Sequence, residues 1–210
     1  MVAFLARRKH LFLLLIYPFI GWGFAFCEAQ VPVAKYIIEW PGVDRAIPFA
    51  PFMVWPYVLW YAVVAFPFVW LGWRDGPAFT RYAWFIYGSM ASTYVLYLLF
   101  PNGEALRPSL AGRDGWDVAV LGWLYAHDTT TNVNPSLHVI GTMGAWIALA
   151  KDKTLANRWI QGVLAAVSVA VIASTVFVKQ HSVLDIFGGL AWSALWYAIV
   201  YRIKPLAPAP

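Results

Sequence analysis

Apolar positions along this chain gather into long runs, with neither the stripe of a surface helix nor the alternation of a half-buried strand. A run of about 20 apolar residues is what a bilayer core asks of a helix. Hydropathy predicts six membrane-spanning helices, at about Leu11–Cys27, Phe52–Trp70, Tyr82–Leu99, Pro135–Ala150, Trp159–Val178 and Ser182–Val200. The expected fold is all-α: one polytopic membrane domain covering residues 1–210. Pro51, Pro56 and Pro67 are expected to kink or shift the second span. In the long third loop, "DGWDVAVLGWLYAHD" (Asp114–Asp128) interleaves Trp116, Val120, Leu121, Trp123 and Leu124 with polar positions. That pattern reads either as a short helix lying in the headgroup plane or as a packed loop.

Composition sharpens this picture. The chain is 61% hydrophobic and only 12% charged, against a norm near ~25% charged for soluble domains. Many of its 13 Trp and 11 Tyr residues fall near the ends of the runs, as interfacial anchoring predicts. The lone cysteine, Cys27, excludes an intrachain disulfide and is expected to be a packing residue. No repeat or linker interrupts the chain, and the Pro-rich tail Pro205–Pro210 is expected to fray. The opening "RRKHLFLLLIYPFIGWGFAF" has the layout of a signal peptide as well as of a first span; an uncleaved span is the reading taken.

Charge placement orients the spans. Arg7, Arg8, Lys9, Arg74, Arg81, Lys151, Lys153, Arg158, Arg202 and Lys204 fall on one side, and Lys35, Arg45, Arg107, Arg113 and Lys179 on the other. A ten-to-five bias predicts cytoplasmic termini in a cell-membrane protein, with Pro101–Asn134 and the Lys179–His181 turn facing outward.

Three polar clusters share that outward side: "PNGEALRP" (Pro101–Pro108), "NVNPSLHV" (Asn132–Val139) and "TVFVKQHSVLDIF" (Thr175–Phe187). In the second, Asn134 reads as a helix N-cap and Pro135 as the first helical residue. The amides of Ser136 and Leu137 would then face outward at the positive helix end, a natural phosphate site. His138 follows within proton-transfer reach. In the third, His181 and Asp185 stand four apart on one helix face. A carboxylate on one ring nitrogen fixes the tautomer and raises the basicity of the other, which suits a nucleophile. Lys179 and the planar fork of Arg107 are candidate phosphate ligands.

Each residue alone has a plainer reading. A histidine near an interface is often only hydrogen-bonded, Lys179 can snorkel, Arg107 can pair with Glu104, and Ser136 can merely cap. Asp185 resists this, because an acid one turn inside a span is costly. A zinc site from His138, His181 and Asp185 is the competing reading to an anion site. Neither histidine sits in a ligand motif and the nearby cations would repel a metal, so the anion site fits better. Asp128, Thr129–Thr131 and Asn132 are expected at the rim, and His127 and His10 in loop and flank positions.

The combination resembles the type-2 phosphatidic acid phosphatase superfamily of membrane lipid phosphatases and phosphotransferases. Its three-part signature is a basic segment ending in Arg-Pro, a Pro-Ser-Gly-His segment, and a Ser-Arg segment followed by His-x-x-x-Asp. Here these look like Arg107–Pro108, "PSLH" (Pro135–His138) and "STVFVKQHSVLD" (Ser174–Asp185). The chain departs at three places: the usual Lys of the first segment falls on Phe100, the Arg of the third on Thr175, and the Gly of the second is Leu137. Its third segment is closest to the inositol-phosphotransferase and sphingolipid-synthase branch.

The resemblance implies that His181 attacks phosphorus, Asp185 orients it and His138 serves as acid and then base. Arg107, Lys179, Ser136, the Leu137 amide and Ser174 would bind the phosphoryl group. It implies a lipid-phosphate substrate among membrane lipids, no nucleic acid, and no metal or organic cofactor. Hydrolysis of a monoester or diphosphate headgroup is the leading expectation. Phosphotransfer to an alcohol is the alternative, and a non-catalytic lipid-binding or transport role a third.

Overall fold

The computed structural model describes residues 8–203. Arg7 and Lys204 of the charge comparison, and the tail Pro205–Pro210, lie outside the described residues. In chain order the elements are α1 (Tyr17–Gln30, entered through a 3-10 segment Lys9–Ile16), β1 (Tyr36–Ile37), α2 (Pro41–Ala46), α3 (Val54–Arg74), α4 (Gly76–Leu99), β2 (Asn102–Gly103), α5 (Trp116–His127), α6 (Leu137–Ala150), α7 (Arg158–Phe177) and α8 (Val183–Tyr197). A π-helical turn, Ala198–Ile203, extends α8.

The described chain is helical, as the apolar runs predict, but the expectation of six spans is met only in part. Four segments are long and apolar enough to cross a membrane: Lys9–Gln30, Pro51–Arg74, Arg158–Phe177 and Val183–Ile203. The remaining two helices differ for separate reasons. α4 is 24 residues long, yet carries Thr80, Arg81, Ser89, Ser92, Thr93 and several tyrosines. Its polar groups turn inward: Ser89 and Thr93 are fully buried, and the Ser89 hydroxyl donates to the carbonyl of Phe85. α6 has only 14 residues, a rise of about 21 Å. It starts later than the sequence suggests, because Ser136, not Asn134, occupies the N-cap position, and its hydroxyl accepts from the Val139 amide at 3.5 Å.

Capping chemistry sets the other boundaries. Asp75 accepts from the Ala78 amide at the start of α4, and Asn157 from the Trp159 amide at the start of α7. Pro51 opens a short 3-10 turn ahead of α3, while Pro67 sits inside that helix.

α6 is the hub, packing on α3, α4, α7 and α8. Phe68, Phe79, Tyr82, Phe85, Ile86, Ile140 and Ala145 form the buried core around it. Cys27 is buried there too, its thiol against the Tyr94 carbonyl, consistent with a packing role. The approach of α6 to its neighbours depends on missing side chains. A Cβ at Gly144 would lie 2.7 Å from the Phe85 ring, and one at Gly189 on α8 would lie 2.6 Å from Cβ of Val139.

Hydrogen bonds sort the connections into two ends. At one, the Lys35 amide donates to the Pro101 carbonyl, β1 pairs in parallel with β2, and the Glu104 amide donates to the Thr130 carbonyl. Asn102 binds this end together: its Oδ1 accepts from the Val133 and Asn134 amides while its Nδ2 donates to the Asn134 carbonyl. At the other end the Trp70 indole donates to Asp152 and His10 meets the Gly72 carbonyl.

If Gly189 is a packing requirement, Gly189→Val will cost about 1–3 kcal/mol, since an added side chain must push α6 and α8 apart. Gly162→Val on α7, where a Cβ meets nothing within 4 Å, is the control. Unfolding midpoints in detergent should fall for the first variant and hold for the second.

Candidate active site

Two helix starts meet at the end where β1 and β2 pair. The first turn of α8 carries a reciprocal capping box: the Ser182 hydroxyl accepts from the Leu184 amide, and Asp185 accepts from the Ser182 amide at 2.9 Å. The same Asp185 carboxylate receives Nδ1 of His181 at 3.2 Å and, through its other oxygen, Nδ2 of Asn134 at 3.0 Å. Its carbonyl accepts from the Ser136 amide. A fully buried carboxylate thus joins the start of α8 to the start of α6.

His181 is thereby aimed. With Nδ1 on Asp185, its Nε2 faces the Ser136 hydroxyl at 3.2 Å. The His138 ring lies 5.8 Å from the His181 ring, centre to centre. His138 is held by stacking against Tyr57 (4.2 Å) and Trp60 (4.5 Å), and its Nε2 is buried without a hydrogen-bond partner. Both histidines line one cavity of about 280 Å³. Tyr57, Trp60, Tyr61, Tyr94 and Trp123 give it an aromatic wall.

The structure therefore brings together His138, His181, Asp185 and Ser136, with Leu137 on the cavity wall. It does not bring in the cations. Lys179, in the left-handed region at φ 56°, turns its ammonium to the carbonyls of Asp44 (2.6 Å) and Ile47 (2.7 Å). Burial pulls its pKa below the ordinary lysine range, opposed by the charge of Asp44. Arg107 spreads its guanidinium over the carbonyls of Tyr125, Asp128 and Thr129 and sits on the Tyr125 ring. Ser174 donates within its own helix to the Val171 carbonyl. Among the described residues, no Lys or Arg lines the cavity. The Ser136 amide, expected to be free for phosphate, is bonded to the Asp185 carbonyl instead.

Asp128, Thr129, Thr131 and Asn132 line the cavity, whereas Thr130, expected with them, does not; His127, expected in a loop, is the last residue of α5 and lines the cavity too, stacked on Trp123. Asp128 accepts from the Tyr57 hydroxyl and from Gln180, both at 3.1 Å. Burial pushes the Asp128 carboxyl above its ordinary range, against the Tyr57 hydrogen bond.

Sequence reasoning missed Asp44. Its carboxylate, 1% exposed, accepts from the Ser182 hydroxyl (2.7 Å), the Val183 amide (2.9 Å) and the Trp40 amide (2.6 Å). It thus braces the positive start of α8 from the short helix α2. The only local signal was a carboxylate in a proline-flanked segment, "EWPGVDRAIPF", which also carries Glu39 and Arg45.

Among the described residues, no three His, Cys, Asp or Glu side chains cluster in a metal-holding arrangement. No family model, curated protein or solved structure matches this chain.

Glu104, next to this assembly, provides a pH test. Its carboxylate receives the Leu106 amide and lies 3.9 Å from Arg107. Burial pushes its pKa from an ordinary 4.5 up to about 7, against that amide and the Arg107 charge. A carboxyl whose folded pKa is raised binds its proton more tightly folded than unfolded. Stability is therefore greatest at low pH, declines between 4.5 and about 7, and is flat above. That contribution amounts to about 3 kcal/mol. Glu104→Gln should flatten this part of the stability profile and gain most above pH 7, read by unfolding midpoints across pH.

Proposed function

We propose that this chain is a membrane lipid-phosphate phosphohydrolase working through a phosphohistidine on His181. The observation that carries the reading is the cavity-lining His181 imidazole, fixed at Nδ1 by the buried Asp185 carboxylate, with Nε2 facing the Ser136 hydroxyl. Such a pairing favours the tautomer with its proton on Nδ1, which leaves the Nε2 lone pair for attack.

In the first step Nε2 attacks phosphorus as the bond to the lipid oxygen breaks. That oxygen takes a proton from His138, which lines the same cavity and whose Nε2 is buried without a hydrogen-bond partner. In the second step His138 accepts a proton from water, whose oxygen attacks the phosphohistidine; inorganic phosphate leaves and His181 is restored. The Ser136 hydroxyl, 3.2 Å from Nε2, is placed to hydrogen-bond a phosphoryl oxygen bound there. Arg107 and Lys179 support this machinery at one remove, by holding the segments around it. The aromatic wall suits a lipid glycerol or chain end. The charge bias supports cytoplasmic termini, an outward-facing cavity and two further spans at α4 and α6. α5 is then the interfacial helix, packed on the start of α3 beside the cavity.

Phosphotransfer to an alcohol is favoured by one observation. A cavity without Lys or Arg matches a phosphodiester donor, with one negative charge, better than a doubly charged monoester.

Purified protein incubated with a panel of lipid phosphates in detergent tests both. Phosphate release without an added alcohol supports hydrolysis; headgroup exchange only with one supports transfer. His181→Ala should lower either rate by at least about three orders of magnitude, and Asp185→Asn by about two. Wild-type turnover should persist in EDTA. Undiminished turnover by His181→Ala would remove the proposal.

A further inference from the structure

The bundle end remote from the histidines holds a second cavity, of about 640 Å³, where α3 ends, α4 begins and α6 ends. The 14 residues of α6 put about 21 Å of helix rise between the two cavities. Arg74, Arg81, Lys151 and Lys153 line this recess, against two carboxylates, Asp75 and Asp152.

Both carboxylates are engaged locally. Asp75 caps α4 through the Ala78 amide at 2.9 Å. Asp152 accepts from the Trp70 indole and from the amide and hydroxyl of Thr154, each at 2.7 Å. Those bonds and the nearby Arg74 hold its pKa below the ordinary range, although burial opposes them. The ion pairs among the described residues are Glu104–Arg107 and His181–Asp185, so none joins these carboxylates to these cations.

The cations are arranged but not neutralised. Arg74 lies over the Trp70 ring at 4.6 Å, and Lys151 donates to the Tyr197 hydroxyl at 3.3 Å. Arg81 and Lys153 have no hydrogen-bond or ion-pair partner among the described residues. A general excess of positive charge at this end would account for cations, but not for their convergence. Arg158 and Arg202 belong to the same end, yet rest over Trp159 and Tyr197 and do not line the recess. Leu71 and Ala148 meet the same space, so basic groups adjoin apolar ones, as headgroup adjoins chain in a lipid.

We propose that this recess binds a phosphate-bearing anion, the chemistry shared by anionic lipid headgroups and soluble phosphate compounds. The recess has two positive charges in excess, supplied from three separate elements and open to a ligand. A basic pocket between helix ends draws anionic headgroups from the adjoining leaflet. The site is separate from the chemistry at His181 and stands whether or not that reading holds.

The test uses the full chain. Native mass spectrometry would count lipids retained from nanodiscs of phosphatidylcholine mixed with phosphatidylglycerol, and calorimetry in detergent would measure pyrophosphate binding. Preferential retention of phosphatidylglycerol identifies a lipid headgroup site; pyrophosphate binding alone identifies a soluble ligand. In either case Arg81→Gln/Lys153→Gln should weaken binding by about tenfold or more. Arg113→Gln, an exposed cation beside Phe49, should leave binding unchanged. Should the double variant misfold, the exposed Lys153→Glu alone must weaken binding. Equal retention of both lipids with no pyrophosphate binding, or variants that bind as wild type, overturns the proposal.

Discussion

The buried carboxylate of Asp185 is the constraint on which this end of the molecule depends. A carboxylate with no solvent contact is tolerable only if its lone pairs are occupied. Here they are met by the Ser182 amide, the His181 ring and the Asn134 side chain. Each donor belongs to a different structural task. The amide starts α8, the ring is the candidate reactive group, and the amide side chain fixes the approach to α6. Satisfying one buried charge therefore aligns two helix starts and a histidine. Asp44 repeats the principle from outside, supplying the acceptor for the Val183 amide that Ser182 and Asp185 leave over.

How much of this was legible follows from which interactions are local. His181 and Asp185 are four residues apart, and Ser136 and His138 two, so their relation is written in spacing. The helical class was equally legible, since long apolar runs have few other solutions. The fate of the cations was not. Lys179 and Arg107 are typical phosphate ligands by residue type, but each turns to backbone carbonyls brought in from elsewhere, with Nε of Arg107 left without a partner. Lys179 takes carbonyls 132 and 135 residues away. Only the packed arrangement of loops reveals such acceptors. The same holds for α6, whose start was displaced because Ser136, rather than Asn134, caps it, while Asn134 reaches across to Leu184 and Asp185.

The departures from the resembled signature acquire a physical meaning in this setting. Where a cation would be expected, the chain has Phe100 and Thr175, and the residues that lend polarity to the cavity are Asp128, Gln180, Asn132 and the histidines. Buried acceptors without partners, Oδ1 of Asn132 and Oε1 of Gln180, belong to side chains that line the same wall. Such a wall favours ligands that bring hydrogen-bond donors. Hydroxyl-rich or amino headgroups fit that description better than a bare phosphate does. On the proposed reading, discrimination between substrates therefore rests on the headgroup beyond phosphorus.

Charge is distributed unequally between the two ends, and the inequality has a structural origin. At the histidine end, Arg107 and Lys179 are spent on loop carbonyls, because that end must close irregular backbone over a cavity. At the other end the connections are short: a single residue, Asp75, separates α3 from α4, and a brief turn leads from α6 to α7. Arg8 and His10 serve the Gly72 carbonyl there, while Arg81 and Lys153 make no hydrogen bond among the described residues. Arg107 and Lys179 are thus consumed internally, whereas Arg113 of the same end stays exposed beside Phe49. Arg81 and Lys153 face a recess open to an anion, so among the described residues that recess, not the histidine-lined cavity, gathers the cations.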